Sequence, residues 1–366
     1  MKRIIFTISA SIVALAAGFL WRNFSGFKPV LLPPVPQPTK ILTSSNSTGL
    51  PLNLPLGFSI GYAAKGLDCP RDLEFDPNGT LIASIPCQNK VVSITPTTIG
   101  LIASGLNRPH GLAYTNGHLY IAETDKVTLD GKKILDLPTG GNHTTRSILV
   151  KDGKLYVSMG STCNVCHEAD SKRAAVWVAN LDGSDFRLFA SGLRNSVFLI
   201  RNSKTNDIWA TEMGRDWLGN DLPPDEINII RENEIYGWPA CYGQDILDTS
   251  FAPQGRCNAA TSSFIDLPAH SAPLGLAFIP DSWPPQYRAK LLVAYHGSWN
   301  RNPPDGYKIV LIDPQTKQIS NFVTGWLQSD GTSLGRPVDL IFDPSGNLYV
   351  SDDKGGAVYR VTPLTD

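Results

Sequence analysis

The chain has 366 residues, 42% of them hydrophobic and only 18% charged, with 32 glycines and 28 prolines. That composition excludes intrinsic disorder, a coiled coil and a polytopic membrane protein. The formal net charge of -1 offers no basic surface for nucleic acid, so function has to be sought in local sites.

At the N-terminus Lys2 and Arg3 precede an uncharged apolar run over residues 4–21, and Arg22 follows it. Residues 1–22 therefore fit either a cleaved signal peptide or an uncleaved membrane anchor. The absence of a small-x-small cleavage site and of a lipobox cysteine favours the anchor. Either reading exports the chain to a periplasmic or extracellular face, with the membrane touched only through this segment. Residues 23–55, which contain PPVPQP and SSNST, read as a Pro/Ser-rich linker before a domain over 56–366. Export changes the meaning of the six cysteines, since an even number outside the cytosol points to disulfides. Sequence neighbours suggest Cys69–Cys87, Cys163–Cys166 and Cys241–Cys257. Cys163-x-x-Cys166-His167 also matches the haem c attachment pattern. A haem would need a helical pocket and a second axial ligand, whereas this motif sits among strand-like segments in a chain with three methionines.

From residue 69 onwards one phrase recurs: a Pro or Arg start, an apolar strand, an Asp/Asn/Gly turn and a second strand. It reads CPRDLEFDPNGTLIASI from Cys69, RPHGLAYTNGHLYIAET from Arg108 and TRSILVKDGKLYVSMGS from Thr145. It returns more loosely as RNSVFLIRNSKTNDIWATEMG from Arg194, then from Ala272 and as RPVDLIFDPSGNLYVSDD from Arg336. The best copies are two alternating strands around an Asn-Gly or Ser-Gly turn, a hairpin signal. Six copies of roughly 50 residues each match the blades of a propeller. Long amphipathic helical patterns are almost absent, which argues against Rossmann and TIM folds. The expected architecture is all-β, a six-bladed β-propeller of four-stranded antiparallel blades, with segments 57–62 and 356–361 sharing the blade that closes the ring. Each copy begins just before its first strand, which places Arg71, His110, His143, Arg146, Arg194 and Arg336 around one mouth of the channel. Such a ring would be an electropositive, imidazole-bearing anion site.

The segments PRDLEFDPNG, GNHTTRSILV, GSTCNVC, SGLRNSVF, TEMGRDWLGNDLPPDEIN, YGWPACYG, HGSWNR and GRPVDLIFDPSGNLYVSD together resemble the PQQ-dependent sugar dehydrogenases. The likeness is to the soluble aldose and sorbosone dehydrogenase type and to the fungal PQQ pyranose dehydrogenases, from about residue 57 to the C-terminus. It implies the propeller fold and oxidation of a sugar, with electrons passed to an external acceptor, a quinone or a cytochrome. His143 falls where the family has the base that takes the proton from the sugar hydroxyl as hydride passes to the quinone. Arg194 and Asn195 match the family's Arg-Asn pair, in which Arg polarises the reactive carbonyl of the cofactor. Arg336 matches a cofactor-binding Arg, but Val338 stands where the glucose-oxidising branch has a second one. HGSWNR replaces the segment that carries that branch's Lys. Arg71, Arg301 or Lys308 could supply the missing charge for a tricarboxylate cofactor. Asn164 lies near a cofactor-contact segment.

The resemblance also implies a calcium ion held partly by main-chain oxygens at Gly214 and Arg215. The acids Asp216, Asp221, Asp225 and Glu226 lack EF-hand spacing and read either as a structural loop or as support for that ion. Trp217, Trp238, Tyr242 and Trp299 could stack on a sugar or a flat quinone, or pack between blades. Two other functions stay open: a calcium-dependent six-bladed lactonase or esterase, and a propeller that binds without catalysis.

Overall fold

The computed structural model describes residues 13–18 and 43–364. Residues 13–18 are helical; the rest of the signal-or-anchor segment, and the linker through residue 42, lie outside the described residues. Among the described residues no helix is long and apolar enough to cross a membrane. Residues 1–42 form one unit and Thr43–Asp366 a second, which holds the strands that follow.

That unit is a ring of six antiparallel blades among the described residues. The first runs outward through Leu73–Phe75, Leu81–Ile85, Lys90–Ile94 and Ile99–Ser104, and the second through Leu112–Thr115, His118–Ala122, Lys126–Leu129 and Lys132–Asp136. The third comprises Arg146–Lys151, Lys154–Met159, Ala175–Asn180 and Arg187–Ser191. The fourth comprises Leu199–Arg201, Ile208–Glu212, Asp225–Ile230 and Ile265–Leu267. Pro273–Phe278, Leu291–Tyr295, Lys308–Ile312 and Ile319–Val323 make the fifth. The sixth takes Pro337–Phe342, Leu348–Asp352 and Ala357–Pro363 from the C-terminus and Phe58–Lys65 from the N-terminal side, with Ile60 opposite Val361. Innermost strands touch their neighbours around the whole ring. The expected blade number, strand number and closing blade are all borne out.

Local chemistry accounts for the repeated hairpins. Asp76 Oδ1 accepts the amides of Asn78 and Thr80 at 2.9 and 2.7 Å, and Asp343 Oδ1 accepts that of Asn347 at 2.8 Å. These Asx turns deliver the chain to Gly79 and Gly346, whose φ of 78° and 83° a side chain would resist. A second device recurs in alternate blades. Glu123, Glu212 and Asp352, each at or just beyond the end of a second strand, accept the amides of Asn107, Asn195 and Arg336. Each buried carboxylate thus pins the loop that enters its own blade.

The linker reading is corrected at its C-terminal end. Ser45–Asn46 pairs in parallel with the closing strand, Asn53 bridges Thr324, and Leu52 is buried with Leu50 and Leu54 packed alongside. The alternating leucines make this segment part of the propeller's wall. The three expected disulfides are present, with Cα separations of 6.1, 6.2 and 5.8 Å, so no thiol of the haem-like motif is free.

Burial raises Glu212 to about 8, Glu226 to about 7 and Glu74 to about 7, against about 4.3 in an unfolded chain. Raised acids bind protons in the fold, so their stabilisation is complete below the unfolded value and is lost as pH rises through the folded one. Buried His110, His143 and His296 are shifted down instead, and their effect is spent by about pH 6.5. The melting temperature of the cofactor-free protein should therefore fall from about pH 6.5 to about pH 9, as scanning calorimetry at several pH values can check.

Candidate active site

His143 sits on the loop between the second and third blades, and its surroundings fix it tightly. Its amide donates to Ser161 O at 3.4 Å, while its carbonyl accepts Arg146 Nη1 at 3.0 Å and Arg173 Nη2 at 3.2 Å. The imidazole Nδ1 lies 3.0 Å from Ser161 O and 2.9 Å from Ser161 Oγ. The Ser161 hydroxyl itself donates to Cys163 O at 2.7 Å, so both neighbours of Nδ1 are acceptors. Nδ1 must carry the hydrogen, which leaves a lone pair on Nε2. Burial first, and the Arg194 guanidinium second, push His143 down to about 3, so the ring is neutral at ordinary pH. Gly160 permits this packing, because a Cβ there would lie 2.4 Å from Asn195 Oδ1 and 2.7 Å from His143 Cβ.

Arg194, which enters the fourth blade, is held by acceptors on every side. Nε donates to Asn164 O at 2.9 Å, Nη1 to Gly214 O at 2.8 Å, and Nη2 to Asn164 Oδ1 at 2.9 Å. His143, Arg194, Gly214, Asp216, Trp299 and Asn300 all line one cavity of about 120 Å³. Larger cavities of about 600 and 580 Å³ lie between neighbouring blades, and one of about 210 Å³ is lined by the innermost strands; none of the three contains a predicted site residue. Convergent chemistry therefore marks the smaller cavity as the site.

A second cationic corner adjoins it. Arg336 Nε donates to His296 O at 3.0 Å and Nη2 to Gly297 O, and Gly297 also lines the cavity. His296 Nε2 is 2.9 Å from Asp353, which pairs with Arg71 at 2.7 Å. The His296 ring and Arg71 hold Asp353 below the usual carboxylate range despite its burial. Among the described residues, Arg71 Nε and Nη2 and Arg336 Nη1 bond to no protein group. Those nitrogens suit a carboxylate-bearing ligand.

Other expectations need correction. Arg146 is fully buried beneath the His143 loop, and His110 is buried against Phe198 with Nδ1 toward Ser147 Oγ. Both support the channel wall instead of facing its mouth. Arg301 is committed to Asn220 O at 2.5 Å and to Asp221 at 3.1 Å, and Lys308 to Asp305 at 3.0 Å. Loop carboxylates and carbonyls engage both side chains, and neither residue lines the cavity of His143 and Arg194. The Asn164 side chain is occupied by Arg194 and by Asp216. The Arg215 side chain pairs with Asp248 at 3.0 Å, leaving only its main chain for an ion. Asn195 packs beside Gly160, with Nδ2 on Met213 Sδ at 3.5 Å. Trp217 and Trp299 meet edge to face at 5.2 Å, exposed by 70% and 66%, whereas Trp238 and Tyr242 sit behind Arg194.

Sequence reasoning missed Ser161, His296, Asp353 and Asn300. Among the described residues Asn300 Oδ1 is buried without a partner, while its Nδ2 donates to Asp216 Oδ1 at 2.8 Å. That oxygen and the second lone pair of Gly214 O are hard donors of the kind a calcium ion takes.

Residues 52–363 match the sequence profile of the TrAA12-like family. The chain belongs to the TrAA12-like family. It is 33% identical over 343 residues to an uncharacterized protein of Borreliella burgdorferi, covering 85% of this chain and 90% of that one. It is 26% identical over 403 residues to a pyrroloquinoline quinone-dependent pyranose dehydrogenase of Coprinopsis cinerea, covering 86% of this chain and 55% of the relative. The chain thus spans about half the length of that relative. A solved Trichoderma reesei structure of carbohydrate-active enzyme family AA12 superposes with a TM-score of 0.76 at 21% identity, covering 89% of this chain and 100% of that one. The PQQ domain of the Coprinopsis cinerea pyranose dehydrogenase gives 0.74 at 20% identity, covering 87% and 100%. Both structures share the fold, and the resemblance carried by the sequence motifs is borne out by the family match.

Proposed function

We propose that this protein is a PQQ- and calcium-dependent sugar dehydrogenase that oxidises an aldose or related sugar and passes the electrons to an external quinone or cytochrome. The observation that carries this reading is a neutral imidazole beside fixed guanidiniums. His143 has its lone pair on Nε2 in a cavity shared with Arg194, and Arg71 and Arg336 offer unbonded nitrogens next to it. PQQ, when bound, supplies a two-electron acceptor and three carboxylates that need cations.

Arg71 and Arg336 fit the carboxylates, and Arg194 fits a quinone oxygen through its charge. Gly214 O, Arg215 O and Asn300 Oδ1 fit the calcium ion. His143 Nε2 takes the sugar hydroxyl proton, and Ser161 keeps the ring in the tautomer able to do so. Trp217 and Trp299 form an aromatic wall at the mouth for a sugar face. Family relatives that bear the name of PQQ-dependent dehydrogenases support the same reading. The three disulfides suit an oxidising compartment. Export by the N-terminal segment, and any membrane attachment through it, belong to the same proposal.

A calcium-dependent lactonase would need a carboxylate cage in the cavity. Asp225 is the buried acid there, and its oxygens are taken by Gly214 N, Ala272 N and Ser271 Oγ. The test mixes the full chain with PQQ, calcium and a panel of aldoses and follows dye reduction. Sugar-dependent dye reduction that requires added PQQ is expected. Lactone hydrolysis without PQQ, or no turnover of any sugar, would overturn the reading.

A further inference from the structure

We propose that the disulfide loop Cys163–Cys166 is a clamp that sets both His143 and Arg194, so that Ser161 and Asn164 are positioning residues and the site works at full rate only while the loop is oxidised. This rests on the roles given to His143 and Arg194 above. Cys163 O accepts the Ser161 hydroxyl at 2.7 Å, which turns that oxygen's lone pairs to His143 Nδ1–H at 2.9 Å. The next residue, Asn164, takes Arg194 through its carbonyl and its side-chain oxygen, both at 2.9 Å. The same side chain ties down Asp216, accepting its amide at 2.8 Å and donating to its carbonyl at 3.1 Å. One closed turn therefore orients the Ser161 hydroxyl, which shares the Nδ1–H of the base with Ser161 O, and supplies two of the five acceptors around the guanidinium.

No regular element holds this turn. It lies between strands Lys154–Met159 and Ala175–Asn180, and residues 160–174 form no strand or helix. Both sulfurs belong to half-buried residues, within reach of a small dithiol. A dithiol reductant gives two electrons and two protons, breaks the Cys163–Cys166 bond to leave two thiols, and ends as its own disulfide. The freed turn no longer places Cys163 O or Asn164. A displacement of about 1 Å at such a site can cost about 10²-fold in rate.

Two readouts test this in the full chain. The first is the nitrogen-15 spectrum of His143 in the cofactor-free protein, which reports the tautomer and the hydrogen bonding of Nδ1 without any turnover. The second is PQQ-supported sugar oxidation. The variants are Cys163→Ser/Cys166→Ser, which leaves the other two disulfides closed, and Asn164→Ala with the clamp closed. The oxidised wild type should show hydrogen on Nδ1 alone. In the double variant Ser161 O still accepts from Nδ1, so the hydrogen should stay there while the Nδ1 resonance shifts with the loss of the Ser161 hydroxyl contact, and turnover should fall about 10- to 100-fold. Asn164→Ala should lower kcat with little change in the sugar KM and leave the His143 tautomer unchanged. If the double variant fails to fold, wild type reduced by dithiothreitol replaces it, with differential alkylation identifying the opened bridge. An unchanged Nδ1 resonance and unchanged turnover once the clamp is open would overturn the proposal. If the oxidised wild type oxidises no sugar, the functional reading fails on its own, and the His143 spectrum still decides the clamp.

Discussion

Replacing His143 with alanine is expected to lower sugar turnover by about 10²- to 10⁴-fold, the usual worth of a positioned general base, while PQQ affinity stays within a few-fold of wild type. The imidazole is held by Ser161 and by main-chain contacts of its own loop, not by any of the cations assigned to the cofactor. Its removal therefore takes away the proton acceptor and leaves Arg71, Arg194 and Arg336 in place. The pH profile gives a second, independent reading. An ordinary histidine would lose activity on protonation near about pH 6.5. Burial and Arg194 push His143 down to about 3, so its base form persists far into acid. In wild type, His143 should contribute no inflection to kcat/KM near pH 6.5, and a loss below about pH 6 falls to Asp225, which burial in the same cavity raises to about 6. Steady-state rates measured across these pH values in the wild type, and at one pH in His143→Ala, check both statements.

Arg194→Lys keeps the charge yet is expected to cut kcat by about 10²- to 10³-fold, the range seen when a preorganised donor is lost at a reacting oxygen. The guanidinium serves Asn164 O, Asn164 Oδ1 and Gly214 O in three directions from one plane. A lysine ammonium on a flexible stem cannot hold that fork. At least one of these acceptors is left without its donor, at about 1–3 kcal/mol each, so the melting temperature should fall together with the rate. Stopped-flow turnover and thermal unfolding of the same preparation separate the two effects. A variant that melts lower but turns over like wild type would reduce Arg194 to a structural residue.

What the sequence disclosed, and what it hid, follows from the range of the interactions. The Asp76 and Asp343 turns, the alternating strands beside them and the cysteine pairs are local or nearly so, and they survive as visible repeats. The closing blade was legible because strand patterns at both ends of the domain lacked a partner. His143 and Arg194 stood out through motif likeness. Their supports did not, because Ser161 reaches His143 from a loop beyond the second strand of the blade that His143 leads into, and Asp353 reaches Arg71 across almost the whole domain. Nothing in a linear pattern distinguishes Arg146, which backs a loop, from Arg336, which leaves a nitrogen unbonded beside the site. The same limit hides the partners of Arg301, since Asn220 and Asp221 lie in a loop with no periodic signal. Leu52 reads as linker because the neighbouring Pro and Ser residues mask the leucine alternation that buries it.

The central claim is that this propeller uses bound PQQ to take two electrons from a sugar at His143. The most direct measurement is an anaerobic single turnover of the full chain loaded with PQQ and calcium, with no external acceptor present. On mixing with an aldose, the quinone absorbance should be lost in one phase, and one equivalent of oxidised sugar should form for each PQQ bound. With the sugar deuterated at the reacting carbon that phase should slow, and in His143→Ala it should be nearly abolished. Failure to bind PQQ, or formation of oxidised sugar without loss of the quinone absorbance, would contradict the account.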